Sequence, residues 1–156
     1  MLTDIGLNLA SHRFDADREA VLARARAAGV TRFILTGTRV ADSTQALAHA
    51  NAHDGCFATA GVHPHEARTL DAAGLATLRT LLAAPKVVAV GETGLDFNRN
   101  YSPQDAQEAA FVAQIGLAAE TGLPLFLHER DAAPRFQAIL RAHRNDWQDG
   151  VLHCFT

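Results

Sequence analysis

The sequence predicts an α/β fold, a TIM-type (β/α) barrel of which the first six strands are present. Three observations lead there. Short apolar runs alternate along the chain with segments of helical periodicity. The runs are almost continuously apolar, so both faces of each strand are covered, as in a parallel sheet built from βαβ units. Finally, a chemically capable side chain (Asn8, Thr36, His63, Glu92, His128 or His153) falls at the C-terminal end of every strand. An open doubly wound sheet gathers its chemistry at one switch point, whereas a ring of strands brings every strand end to one mouth. Length alone favours the open sheet, because a complete barrel needs roughly 250 residues and this chain has 156. The polar strand ends, and a first strand not followed by a Gly-rich phosphate loop, decide for the barrel.

The first strand runs through Ile5-Gly6-Leu7-Asn8-Leu9. A helix spans about Asp17 to Ala28, with Val21, Leu22, Ala25 and Ala28 on one side and Gly29 as its stop. The strand Arg32 to Thr36 precedes a helix from about Ser43 to His53. The third strand, Cys56 to Val62, leads into His63-Pro64-His65, and the next helix carries Leu75, Leu78, Leu81 and Leu82 and ends before Pro85. Val87 to Val90 is the fourth strand, followed by a polar loop from Gly91 to Asn100. Ser102 and Pro103 open a long helix, the hydroxyl as N-cap and the proline in the first turn, and Gly122 closes it. Leu125-Phe126-Leu127 is the fifth strand, a helix spans about Pro134 to Ala142, and Val151-Leu152 opens the sixth strand.

Apolar residues make up 48% of the chain and charged residues 20%, the balance of a soluble globular protein. No apolar run approaches the roughly 20 residues of a membrane span. The first residues lack the basic start and small-residue cleavage site of a secretory signal, so a cytoplasmic setting is expected. Cys56 and Cys154 are too few for a disulfide framework and read as reduced thiols. The net charge of −3 comes with no basic stripe, which argues against a protein that coats duplex DNA. An enzyme with a local metal ion and a few arginines is compatible with it.

Glu92, His128 and His153 come from strands four, five and six and would be neighbours at one rim. One carboxylate and two imidazoles are a common ligand set for a catalytic divalent metal. Each histidine taken singly reads as a hydrogen-bonded rim residue; three candidates on successive strands favour a site. Arg99 and Arg130 are candidate phosphate anchors, because a guanidinium forks onto phosphate oxygens, and each reads equally as a solvated or ion-paired arginine. Asp96 and Asp131 could orient ligand histidines or cap the following helix. His12, His49, His53 and His143 read as surface residues, and Cys154, on the face opposite His153, as core.

The segments Gly61-Val62-His63-Pro64-His65, Gly91-Glu92-Thr93-Gly94-Leu95-Asp96-Phe97, Leu123-Pro124-Leu125-Phe126-Leu127-His128-Glu129-Arg130 and Leu152-His153-Cys154-Phe155-Thr156 resemble, in order and spacing, the TatD family of metal-dependent deoxyribonucleases. The likeness extends from Asp4 to Thr156 as a single hydrolase domain, 1–156. The resemblance implies a barrel of the metal-dependent hydrolase type in which Glu92, His128 and His153 hold a divalent ion, with Mg²⁺ the expected ion and Mn²⁺ or Zn²⁺ as alternatives. It implies that Glu92 can bridge two metals and acts in catalysis, and that His63 faces the substrate phosphate as donor or proton carrier. His65, Arg99, Arg130 and Asn8 would contact substrate. The substrate implied is nucleic acid, with DNA, probed as a single strand by a 3'-5' exonuclease, the leading expectation, and no membrane partner.

Two departures from the family pattern stand out. Many members carry Asp-x-His-x-His on strand one, whereas this chain reads Asp4-Ile5-Gly6-Leu7-Asn8, as in the TatD proper subgroup, which weakens a two-metal mechanism. Members also continue through strands seven and eight to a further aspartate ligand, while this chain stops at Thr156. The expectation is a C-terminally incomplete domain whose strands one and six are unpaired edges open to self-association. Two other functions fit the same residues: an amidohydrolase-like amide or ester hydrolase, and a non-catalytic fragment.

Overall fold

The computed structural model describes residues 2–153. Six strands form one sheet in the order of the chain, every neighbouring pair parallel: β1 (Leu2–Leu7), β2 (Val30–Leu35), β3 (Cys56–Ala60), β4 (Val87–Asp96), β5 (Leu125–Arg130) and β6 (Gly150–His153). Between them run α1 (Arg18–Ala27), α2 (Val40–Ala52), α3 (Ala72–Leu82), α4 (Gln104–Thr121) and α5 (Ala133–Ala142), with short 3₁₀ turns at His12–Phe14 and Pro64–Thr69. Sequential order with parallel pairing is the barrel topology rather than the doubly wound one, which would reverse strand order partway.

The core lies between sheet and helices. Phe33, Leu35, Ala58, Val90, Leu125 and Leu127 from the strands meet Leu22, Ala46, Leu78, Phe111, Ile115 and Ile139 from the helices. Strand β4 is buried or half-buried over all ten residues, as expected of a strand near the centre of a covered sheet. The outer strands differ: Leu2, Ile5 and Val151 on β1 and β6 are exposed. Among the described residues, no helix is long and apolar enough to cross a membrane.

Several boundaries differ from the sequence reading, as at β1, read as Ile5–Leu9 and found at Leu2–Leu7, and at α2, which starts at Val40 rather than Ser43; three further differences bear on the site. Strand β4 continues through Gly91 to Asp96, a stretch expected to be loop, because its backbone keeps pairing with β5 at Gly94↔His128 and Asp96↔Arg130. Strand β5 likewise continues to Arg130, so Glu92 and His128 sit within strands rather than at their ends. Ser102 does not cap α4: the N-cap position is Pro103. The buried Ser102 hydroxyl instead donates to the carbonyl of His65 (2.8 Å) and accepts from the amide of Arg68 (3.2 Å), closing the 3₁₀ turn after β3.

Candidate active site

Backbone features aim the side chains. The β4–β5 register slips between Gly91 and Thr93, leaving Glu92 as an extra residue in β4, and a bulge of this kind re-aims a side chain. Gly91 has φ +137°, and a Cβ there would collide with the carbonyl of Phe126, so the close approach of β4 to β5 needs glycine. On the next pair His128 lies directly opposite His153 in register, so both project from the same face of adjacent strands. The end of β2 ties in the remaining parts: Gly37 O accepts from Glu92 N–H (2.8 Å) and Thr38 O from His63 N–H (2.9 Å).

Among the described residues, His63, Glu92 and His128 bring ligand atoms within 4.8 Å of one another. The Nδ1 of His128 lies 3.0 Å from Glu92 Oε1, and the Nε2 of His63 lies 3.8 Å from the same oxygen. Burial pushes the Glu92 carboxyl up, but the His128 hydrogen bond and the nearby His63, His128 and His153 outweigh it and leave it below the usual glutamate range. Ionised Glu92 can only accept, so the His128 Nδ1 carries the proton between them, and in the neutral ring the lone pair is then on Nε2. That Nε2 is buried without a hydrogen-bond partner among the described residues, and Asp96 Oδ2 faces it at 3.5 Å. A lone pair and a carboxylate facing each other in a buried site are stabilised by positive charge. A carboxylate and the orphaned buried nitrogen of an imidazole together fit a divalent cation.

His63 is committed differently. Its Nδ1 accepts the amide proton of His65 (3.1 Å), so the neutral ring carries its proton on Nε2 and presents a donor to the site. Burial, opposed by Glu92 and reinforced by His128 and His65, lowers its pKa to about 4. At neutral pH His63 is thus an uncharged Nε2–H donor.

Asp96, only 1% exposed, organises the rim. It accepts from His65 Nε2–H at 2.7 Å and from the amides of Asn98 and Arg99 at 3.1 and 2.8 Å. Burial raises its pKa, and the Arg99 amide and His65 more than reverse that, so Asp96 stays ionised. Its hydrogen bond goes to His65, which is outside the expected ligand set, and Asp131 accepts from Asn98 Nδ2. Tyr101 packs edge-on against His65, with ring centroids 4.8 Å apart.

The other expected residues are spread more widely. His153 is not within the 4.8 Å cluster; its ring stacks on Phe126 at 5.2 Å. Asn8 lies just past β1, in the wall of a separate cleft that also includes His12. Arg99 is exposed beyond β4, and Arg130 is half-buried at the end of β5. Reading His53 as a surface residue needs correction: its side chain is 11% exposed and bonds Glu19 (2.7 Å) and the carbonyl of His49 (2.7 Å), because α2 ends against α1. His49 and His143 are half-buried rather than free in solvent. Cys154 lies outside the described residues.

Two residues the sequence reading passed over hold the site together. Gln114, fully buried on α4, accepts from Val62 N–H (2.7 Å) and donates to Val62 O, Ala110 O and Thr93 Oγ1. One face along, Gln107 accepts from Asp96 N–H (2.8 Å) and donates to the carbonyls of Asp96 and Ser102. The signal was present: two amides spaced seven residues apart on the apolar side of one helix share a face and need partners there.

Similarity to known proteins gives the family and the fold. The family profile for TatD related DNase matches residues 3–156. The chain is 54% identical over 153 residues to a protein of Enterobacter lignolyticus named 3'-5' ssDNA/RNA exonuclease TatD, and 52% identical to the protein of that name from Cronobacter sakazakii. Both alignments cover 98% of this chain and, respectively, 59% and 58% of those proteins. The chain therefore spans about three-fifths of the length of these relatives. Among solved structures, the TatD homologue YJJV of Escherichia coli K12 superposes with a TM-score of 0.91 at 31% identity, covering 99% of this chain and 60% of that one. A TatD-family hydrolase of Entamoeba histolytica gives the same TM-score at 28% identity, covering 99% of this chain and 58% of its own. With the profile matched along the chain and the fold shared, the chain belongs to the TatD-related DNase family.

Proposed function

We propose that this chain carries the metal-holding and phosphate-facing part of a nuclease that hydrolyses phosphodiester bonds in single-stranded nucleic acid from the 3' end. The observation that carries the reading is the convergence of Glu92, His128 and His63 on one buried rim, where an ionised carboxylate and an unpartnered imidazole nitrogen stand beside an imidazole N–H donor. The named activity of the 54% identical relative supports the substrate class.

In this reading Glu92 and His128, with His153 from the neighbouring strand, hold a divalent ion, and Mg²⁺ is the ion assigned. Such an ion, when bound, supplies Lewis acidity at the phosphoryl oxygen and lowers the pKa of water. The chain's own residues do the rest. Glu92 stays ionised and so remains a proton acceptor at neutral pH. His63 donates its Nε2–H to a non-bridging phosphate oxygen and holds the phosphorus in place. Because His63 is neutral, it acts as a hydrogen-bond donor rather than as the acid that protonates the leaving oxygen. Asp96 keeps His65 turned and fixes the rim on which Arg99 and Arg130 are available to further phosphates.

The test is calorimetry of the chain with Mg²⁺, Mn²⁺ and Zn²⁺, paired with nucleotide release from a labelled single-stranded oligonucleotide. Glu92→Ala is expected to abolish ion binding and to lower release by about a hundredfold or more. Unchanged ion affinity and unchanged release in this variant would overturn the assignment.

A further inference from the structure

Beside the metal-holding rim lies a second recess that the hydrolytic chemistry does not use. It is a cleft of about 820 Å³ between the segment following β1 and the start of α2, with Asn8, Arg13, Phe14, Thr36, Arg39 and Gln45 in its walls. We propose that this cleft is the subsite for one nucleotide unit of the strand, next to the phosphate being cleaved. This inference rests on the nuclease reading and extends it to a particular set of residues.

The cleft and the rim share a wall. Thr36 and Thr38 line the cleft, and Gly37 between them bonds the amide of Glu92 while Thr38 bonds the amide of His63. Gly37 and Thr38 thus fix the cleft wall to the backbones of Glu92 and His63, so a strand lying over the rim runs on toward the cleft.

Thr36 is 6% exposed, and its Oγ1 has no hydrogen-bond partner among the described residues. A buried hydroxyl left unpaired is costly; because this oxygen is itself covered, a ligand in the cleft meets the Thr36 side chain and reaches the hydroxyl only if the wall shifts.

Charge and shape give the class of ligand. Asp42, the carboxylate of this cleft, is already held by Arg39 (Nε to Oδ2, 3.0 Å) and by the Thr38 hydroxyl (2.7 Å). Arg13 makes no ion pair among the described residues, so the cleft keeps one uncommitted guanidinium, the group suited to a phosphate. Gln45 and Asn8 each offer a donor and an acceptor, which suits the edge of a base. The half-buried ring of Phe14 provides an apolar surface against which a base or sugar can lie. The volume is within the roughly 300–1,000 Å³ of small-molecule sites, large enough for a nucleotide.

The experiment is fluorescence anisotropy of labelled hexathymidylate with the full chain in EDTA, so that binding is read without cleavage. Arg13→Ala, Gln45→Ala and Arg24→Ala are compared, the last removing an exposed charge from the far end of α1. Arg13→Ala should weaken binding about tenfold, the worth of one charge-assisted hydrogen bond. It should also reduce the slope of log K against log salt by about 0.7, the value for one phosphate of a single strand. Gln45→Ala should weaken binding with no change in that slope, and Arg24→Ala should change neither quantity. Equal losses in Arg13→Ala and Arg24→Ala would reduce the effect to overall charge and overturn the subsite. So would undiminished binding in Arg13→Ala, or no binding of hexathymidylate by the wild-type chain. None of these results touches the Glu92 assay, so the nuclease reading and the subsite fail separately.

Discussion

The imidazole of His153 rests against the bare backbone of Gly6: a Cβ at position 6 would lie 2.5 Å from His153 Cε1 and 3.2 Å from Nδ1. Strand β1 and strand β6 are the two ends of the sheet, so this contact reaches across the curl of the barrel rather than along a ladder. Gly6 thus does more than omit a histidine; it leaves the space in which the β6 histidine sits. A side chain at position 6 and this placement of His153 exclude each other.

That exclusion is measurable. Gly6→Ala should move the His153 ring, because the atoms in the way are the mobile end of a side chain and yield more easily than backbone. The cost in stability should stay within about 1 kcal/mol, while the His153 ring resonances shift and divalent-ion affinity falls. Unchanged imidazole resonances in the variant would show that the ring does not occupy this space in solution.

Gln114 connects α4 to both sides of the site, through Val62 just before His63 and through Thr93 just after Glu92. Gln114→Leu keeps the volume but strands the amide and carbonyl of Val62 in the core. The expected loss of stability is on the order of 3 kcal/mol, read as a lower midpoint in urea. Ion affinity should fall with it, since the His63 and Glu92 backbones lose a common support. Gln114→Glu is not a neutral control, because a buried carboxylate has no cation there to pair with. Wild-type stability in Gln114→Leu would mean that these hydrogen bonds contribute nothing net.

The pH dependence of stability has a contribution away from the site. His49 on α2 has its pKa lowered, chiefly by burial and then by Arg18 and His53, with Asp15 and Glu19 opposing. The unfolded chain binds a proton at this histidine near its ordinary value of 6.5, while the folded chain does not. Stability from this group is therefore complete above that pH and is lost as pH falls below it. Glu19, whose pKa is lowered first by its hydrogen bond to His53, adds a loss of the same sign at pH values below the ordinary glutamate value of 4.5. Melting temperature should decline from pH 7 to pH 5 through His49 and through His63, whose pKa burial lowers to about 4, and His49→Gln should remove the His49 part of that decline. A His49→Gln curve parallel to wild type would remove His49 as a cause.

Much of the barrel was legible in the chain because parallel strands covered on both faces must be apolar almost throughout, and Val87 to Val90 or Leu125 to Leu127 allow little else. Glu92, His128 and His63 were legible as rim candidates because polar residues next to buried strands are costly unless they have partners. The limits of β4 were not legible, since Gly91 to Asp96 looks like a loop until β5 is beside it to accept the pairing. Likewise Ser102 has the residue type of a helix cap, and only the turn at His65 and Arg68, far away in sequence, gives its hydroxyl other partners.

The sequence by itself determined the order of strands and helices, the membership of the family and the residue types at the mouth, because periodicity and local spacing are properties of neighbours along the chain. Tertiary structure alone decided the pairing of Asp96 with His65, the hydrogen bonds of Gln107 and Gln114 and the contact of His153 with Gly6. Each joins segments whose meeting depends on how the sheet curls and how closely two backbones approach. A hydrogen bond or a ring contact is settled by tenths of an ångström, and that precision exists only once the chain is packed.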